Sequence, residues 1–330
     1  MFRLALALAV ALVALRVAPA RAEPFDLDLS RLGPPDPAVW TLISLAPGNA
    51  PLAPGEAELL ANDAKKRFGI VSTEMAMAIS GPILDPASTT GHAGFDFAFE
   101  GAYQPVHDEP LGTSRFGFGA EPWPTRSGSP SSLRTTGVHV RKALPFSFEF
   151  GGRLTYVNKS SYFAAQGEAK WALNEGFEKV PDLAVRVAYT RLFGQETWNL
   201  GTTDVDFLVS KRWGVSGVTS FTPYLGVRFT FVSASSDMID FQSYDPGTPP
   251  ASEDPAAQNA GVAGFPSLRL GLYRTTLGLR MTASAVSMAF EATYFGGKSY
   301  AGKDSPGPGE YPDFRVESAL ACALKLGWEF

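Results

Sequence analysis

The sequence predicts an all-β fold: a transmembrane, antiparallel up-and-down β-barrel of ten strands, with a short, partly helical segment ahead of it. Three observations carry this. Apolar and polar residues alternate with a period of two in ten separate segments, which is the mark of a strand with two unlike faces. The polar face carries charges of both signs in near balance rather than scattered lysines. The links between strands alternate between short turns and long loops, as they do in barrels that cross a membrane with strands.

Residues 1–22 are expected to be a secretory signal peptide. Arg3 precedes an apolar run from Leu4 to Leu15, and Ala20-Arg21-Ala22 offers a small-x-small cleavage site. Residues 23–68 read as a separate periplasmic segment. Pro34, Pro35, Pro37, Pro47, Pro51 and Pro54 interrupt its first part, and 56–67 reads as one short helix stopped by Gly69. It is expected either to be a linker or to cap or enter the periplasmic mouth. Residues 69–330 then form the barrel.

The strands are placed at 93–104, 136–142, 146–157, 162–172, 182–193, 202–213, 219–232, 275–284, 286–295 and 312–330. In the third, Phe146, Phe148, Phe150, Leu154 and Tyr156 oppose Ser147, Glu149, Arg153 and Thr155. In the last, Phe314, Val316, Leu320, Cys322, Leu324 and Leu326 oppose Arg315, Glu317 and Lys325. Two places are irregular. Leu268, Leu270 and Leu272 alternate on even numbers but Leu277, Leu279 and Met281 on odd ones, so a bulge or an extra strand is expected near Tyr273-Arg274. Ile70, Met75, Met77 and Ile79 alternate in part over 69–80. Were both additional strands, the barrel would have twelve.

Eight cations, among them Arg153, Arg228, Arg280 and Arg315, face eight anions, among them Glu149, Asp204, Asp206 and Glu317, on the polar side. Six of those cations are arginine, the type suited to bidentate pairing in a confined space. Aromatic residues flank the apolar band. Phe146, Trp171, Trp213, Phe221, Trp328 and Phe330 fall at the short-turn ends, and Tyr103, Tyr156, Tyr162, Tyr189 and Tyr294 at the long-loop ends, as interface girdles would.

The ending Leu324-Lys325-Leu326-Gly327-Trp328-Glu329-Phe330 resembles the terminal strand of Gram-negative outer-membrane β-barrels, whose final aromatic residue is read by the barrel-assembly machinery. The resemblance implies residence in the cell outer membrane among its lipids and assembly through the C-terminal strand; with short turns on one rim and long loops on the other, both termini are expected on the periplasmic side.

Composition excludes other classes. A formal net charge of −5 gives no electrostatic basis for binding nucleic acid. The single Cys322 forbids an intrachain disulfide and any multi-cysteine metal motif, and its position suggests a small buried hydrophobe. No cofactor or metal site is expected. The three histidines include His139, read as a hydrogen-bonded interior residue, and His107, in His107-Asp108-Glu109 at the start of a long loop. His107 offers an outer-membrane hydrolase reading as the last choice, without a partner motif, so the chain is read as no enzyme. A barrel of ten to twelve strands leaves at most a narrow lumen. The expected function is a narrow passive channel or uptake protein for small polar solutes, its passage lined by Glu149, Arg153, Asp204, Asp206, Arg228 and Arg280. The alternative is a closed structural or surface-binding barrel acting through its long loops.

Overall fold

The computed structural model describes residues 23–45, 49–107, 114–119, 121, 123–125, 127–241, 261–300 and 311–330. The expected signal peptide therefore lies outside the described residues, as do Asp108, Glu109 and most of the Pro-rich loop at 245–264. Ten strands close into one ring: β1 Phe95–Pro105, β2 Ser132–Leu144, β3 Phe148–Val157, β4 Phe163–Asn174, β5 Asp182–Phe193, β6 Trp198–Ser210, β7 Thr219–Ser236, β8 Leu268–Ala283, β9 Val286–Phe295 and β10 Ala319–Glu329. Each strand pairs antiparallel with the next in sequence, and β10 pairs with β1, with Phe99 opposite Leu326 and Asp96 opposite Glu329. Closure leaves no barrel strand with an unpaired edge.

The alternation read from the sequence sorts inside from outside. Along β5, Ala184, Arg186, Ala188, Thr190 and Leu192 are buried, while Leu183, Val187, Tyr189 and Phe193 are exposed to the surroundings. Strands of 10 to 18 residues meet or exceed the roughly 9–11 needed to cross a hydrocarbon layer at a tilt. One rim carries the short turns, including 145–147 and 284–285. The other carries the long connections and two small strand pairs, Ile239–Asp240 with Val262–Ala263 and Lys298–Tyr300 with Phe314–Val316.

Several expectations change here. β8 runs unbroken from Leu268 to Ala283 in continuous register with β7, so there is no bulge at Tyr273-Arg274 and no additional strand. Even-numbered residues face inward throughout it: Leu268 and Leu272 are as buried as Arg274, Thr276 and Arg280. The pattern seemed to slip because the interior changes from apolar to polar along its length. The run 312–330 is two elements, and its first part, Phe314–Val316, lies in the loop layer with Arg315 63% and Glu317 53% exposed. Those two charges are absent from the lumen, and the inward Arg274 was missed. Cys322 faces outward and is half-buried, and Tyr162, assigned to an aromatic girdle, is fully buried.

The largest difference concerns 56–80. Helix α1, Pro37–Ser44, begins with Asp36 accepting the Ala38 amide at 2.8 Å and with proline at its first position. Helix α2 spans Glu56–Ile79, 24 residues, with Glu56 and Glu58 in its positive first turn. It does not stop at Gly69. A Cβ there would lie 2.8 Å from Cζ of Phe314, so the glycine is a contact point for that ring rather than a terminus. From Arg67 to Ile79 every residue of α2 is buried, Ser72, Thr73 and Glu74 included. A helix surrounded on all sides loses its amphipathic stripe, which is why the sequence shows no 3.6-residue period there. α2 ends properly at Gly81, which takes φ +65° just beyond the terminal Ser80.

Candidate functional site in the barrel interior

The described residues between 23 and 94 thread the barrel from the long-loop mouth to the short-turn mouth. Residues 23–45 sit on the long-loop rim. The Phe25 amide donates to the Lys159 carbonyl at 2.9 Å, and the Ser161 amide donates to Asp26 at 2.6 Å. The Tyr162 hydroxyl accepts from the Leu27 amide at 2.6 Å. Burial pushes the Tyr162 phenol above its ordinary value, so it stays a neutral clasp. Trp40 packs edge-on against Phe118, with ring centroids 5.4 Å apart, and α2 then descends into the lumen. At the opposite mouth the Phe330 amide donates to the Phe95 carbonyl at 2.8 Å. The two ends of the described chain thus lie at opposite rims. Residue 23 and residue 330 therefore do not share a rim, and the described residues 23–45 lie away from the short-turn mouth.

The interior is layered. Nearest the long loops, Leu133, Leu192, Leu200, Val232, Leu268 and Leu272 of the wall join one apolar cluster with Phe68, Val71, Met75 and Ile79 of α2. Full burial of side chains this size stabilises by roughly 1.5–3 kcal/mol each. Glu74 ties α2 to the first long connection: its carboxylate accepts the His107 amide at 2.8 Å and the Trp123 indole N–H at 2.6 Å.

The middle layer holds ion pairs that grip the end of α2. Arg228 pairs with Asp206 at 2.5 Å and donates to the Gly81 carbonyl at 2.5 Å. Arg274 donates to the Met77 carbonyl at 3.2 Å and to the Ser80 hydroxyl, and lies 3.6 Å from Asp204. Asp204 also accepts from Thr230 at 2.6 Å. Arg153 meets Glu100 at 2.7 Å and Gln166 at 2.7 Å. His139 bridges Glu100 and Glu168, at 2.9 Å on each ring nitrogen.

The lowest charged layer centres on Asp85, the only ionisable residue between Ser80 and Thr90. It is buried and contacts Arg141, Lys170 and, at 3.2 Å, Arg280. Lys170 also meets Glu149 at 2.5 Å, and Lys325 meets Asp96 at 2.6 Å. On β9, between the strands of Arg280 and Lys325, Glu291 accepts the backbone amides of Ile83 at 3.0 Å and Leu84 at 2.6 Å, and the Tyr224 hydroxyl at 2.9 Å. Below, Ile83 and Ala87 pack with Ala172, Ala184, Leu208 and Tyr224. Thr90 reaches Glu149 at 3.1 Å as the segment leaves the barrel.

The six residues expected to line a passage, Glu149, Arg153, Asp204, Asp206, Arg228 and Arg280, all lie inside the barrel and are all buried. Arg228 and Arg280 touch the threaded segment directly, as do Glu149 at Thr90 and Arg153 against Gly81, while Asp204 and Asp206 brace Arg274 and Arg228. The cavity left between α2, Gly81 and the wall at Ala102, Arg274 and Glu291 is about 30 Å³, the share of one water. Asp85, Glu74 and Arg274 are the participants that sequence reasoning missed. Asp85 alone had a visible signal, as a lone charge in the otherwise neutral run Ser80-Gly81-Pro82-Ile83-Leu84-Asp85-Pro86. Among the described residues no group of His, Cys, Asp and Glu could hold a metal ion. His107 lines a separate cavity of about 420 Å³ at the long-loop rim with Glu74, Met77, Glu317 and Ser318.

No family model matches the sequence, and no curated relative matches it. Solved structures similar to it are β-barrels. The N-terminal β-barrel domain of OprF from Pseudomonas aeruginosa is 8% identical, covering 73% of this chain and 99% of that one with a TM-score of 0.30. The outer membrane protein OprG of the same organism is 12% identical, covering 74% and 99% with a TM-score of 0.29. The translocator domain of the autotransporter NalP from Neisseria meningitidis is 11% identical, covering 81% and 97% with a TM-score of 0.32.

Proposed function

We propose that the protein is an outer-membrane barrel closed by its own N-terminal segment, which works from its outer surface rather than as a conduit. The outward face supports the membrane reading. Phe150, Leu183, Phe207, Leu225, Leu277 and Leu324 are all exposed on the barrel wall, and water does not sustain an apolar belt around a whole domain. Trp171 and Phe148 stack near the short turns with centroids 5.5 Å apart, and Tyr103, Tyr189, Tyr273 and Tyr294 stand exposed towards the long loops, at the levels interface aromatics occupy. The C-terminal strand ending in Phe330 would be the handle for the assembly machinery.

The observation that carries the closed reading is the threaded segment, wholly buried from Arg67 through Ile79 and ion-paired at Asp85. With short turns facing the periplasm, the described residues of 23–55 and of the long-loop rim together form the outer surface, and this layer is the part available for binding. The passive-channel reading needs the segment to leave.

Intact protein in a planar bilayer is expected to give no steady openings, and ohmic openings would overturn the closed reading. Orientation is checked in whole cells carrying Cys322→Ala. Cysteine at the exposed Ala53 should react with a membrane-impermeant maleimide, whereas cysteine at Val215, in the short-turn rim, should react only after permeabilisation. The reverse pattern would put 23–55 in the periplasm.

A further inference from the structure

We infer that the outward face of β5–β8, just below the long-loop rim, is a binding site for a phosphorylated lipid of the surrounding leaflet. This rests on the membrane reading above. A groove of about 560 Å³ runs across these four strands. Its upper row is one line of paired positions: Arg191 opposite Gly201, Gly201 opposite Ser233, and Ser233 opposite Arg269. Three strand spacings, about 14 Å, separate the two arginines at the backbone. The row below, nearer the middle of the wall, is Tyr189, Thr203, Phe231 and Gly271, paired in the same way.

The groove exists because its floor is small. Gly201, Ser233 and Gly271 leave room between the exposed arginines, while the exposed rings of Tyr189 and Phe231 form its apolar end. Head and tail are therefore separated along the membrane normal: two cations and a serine above, two aromatic faces below. That order fits an amphiphile standing in the leaflet with a phosphate between Arg191 and Arg269 and an acyl chain against Tyr189 and Phe231. Arginine's fork suits phosphate oxygens. Among the described residues neither arginine has a carboxylate partner. Arg191 donates to Asn199 at 3.3 Å, and Asn199 in turn donates to Asp237 at the rim, which leaves the other guanidinium donors of Arg191 for a ligand.

The test is native mass spectrometry of the full mature protein in zwitterionic micelles, with bisphosphorylated lipid A, its dephosphorylated form or phosphatidylcholine as probe. Bisphosphorylated lipid A, which bears phosphate monoesters, should be retained about tenfold or more better than its dephosphorylated form, which has none, and than phosphatidylcholine, whose phosphodiester is neutralised by its own choline. Arg191→Ala with Arg269→Ala should abolish that preference. So should Gly271→Phe, which fills the groove without removing charge; a Cβ at 271 meets only the Phe231 ring at 3.8 Å, an ordinary contact. Equal retention of the three lipids, or unchanged preference in either variant, would overturn the proposal. Displacement by millimolar inorganic phosphate alone would also overturn it, in favour of a soluble-anion site. Each sample is also run folded against boiled on a gel. Loss of the folded band in the unmutated protein would fault the barrel reading itself, whereas a retained band with no lipid preference faults only this site.

Discussion

A chain whose mature part begins at Gly91 is expected to conduct ions steadily across a planar bilayer in which the intact chain stays silent. Truncation removes α2 and the run from Ser80 to Thr90 but none of the ten strands, whose ladders close the ring without help from the threaded segment. The vacated interior would be walled at mid-height by Arg153, Arg186, Arg228 and Arg274 against Glu100, Glu168, Asp204 and Asp206, which water solvates readily once it can reach them. The cost falls on the apolar layer. Leu133, Leu192, Leu200, Val232, Leu268 and Leu272 lose contact with α2 and meet water, at roughly 25 cal/mol per Å² of newly exposed surface. The truncated barrel should therefore be less stable, unfolding at a lower temperature on a heat-modifiability gel, yet still fold. Silence from a truncated barrel that keeps its folded band would mean that the wall closes on itself, and the threaded segment would then not be what blocks the passage.

The ring was legible because strand periodicity does not depend on what fills the centre. Outward residues such as Phe150, Leu183 and Leu277 have to suit an apolar surrounding, and inward ones such as Glu149, Arg186 and Asp206 the interior, so alternation survives in each strand. The bounds of β5 and β9 match the expected ones to the residue. What could not be read was the occupant. Ile70-Val71-Ser72-Thr73-Glu74-Met75-Ala76-Met77 mixes β-branched and flexible residues with no helical stripe, since that stretch of α2 has protein on every side. The same fact disguised β8. Leu268 and Leu272 face inward onto the apolar cluster around α2, but in a lumen assumed to be wet throughout they counted as outward and forced a false phase change. Arg274 was lost with them. Arg315 and Glu317 were gained wrongly, because Phe314–Val316 keeps strand alternation while leaving the barrel for a two-stranded pair with Lys298–Tyr300.

Replacing Asp85 should be the most damaging single change. Asp85 is 3% exposed and neutralises Arg141, Lys170 and Arg280 from a segment that offers them no second carboxylate. Removing one partner of a buried ion pair that has no other costs about 3–5 kcal/mol, but here each cation keeps a wall carboxylate: Arg141 has Asp96, Lys170 has Glu149 and Arg280 has Glu329. Asp85→Asn, which leaves the three cations one carboxylate short, should therefore lose less, about 1–3 kcal/mol. Asp85→Lys should lose more, since it adds a cation to a site already holding three, close to Lys325 and its partner Asp96. The expected reading is a fall in the temperature at which the folded band disappears, with Asp85→Lys failing to give a folded band under conditions where Asp85→Asn still does. Combining Asp85→Asn with Arg280→Met should cost less than the two losses added, as residues in contact do not act independently. Arg315→Ala is the contrast. Its partner Glu317 lies 3.3 Å away but both are more than half exposed, so its removal should change stability by less than about 1 kcal/mol. If Asp85→Lys melted like the unmutated protein, residues 80–90 could not be seated among those cations, and the threaded path would have to be abandoned.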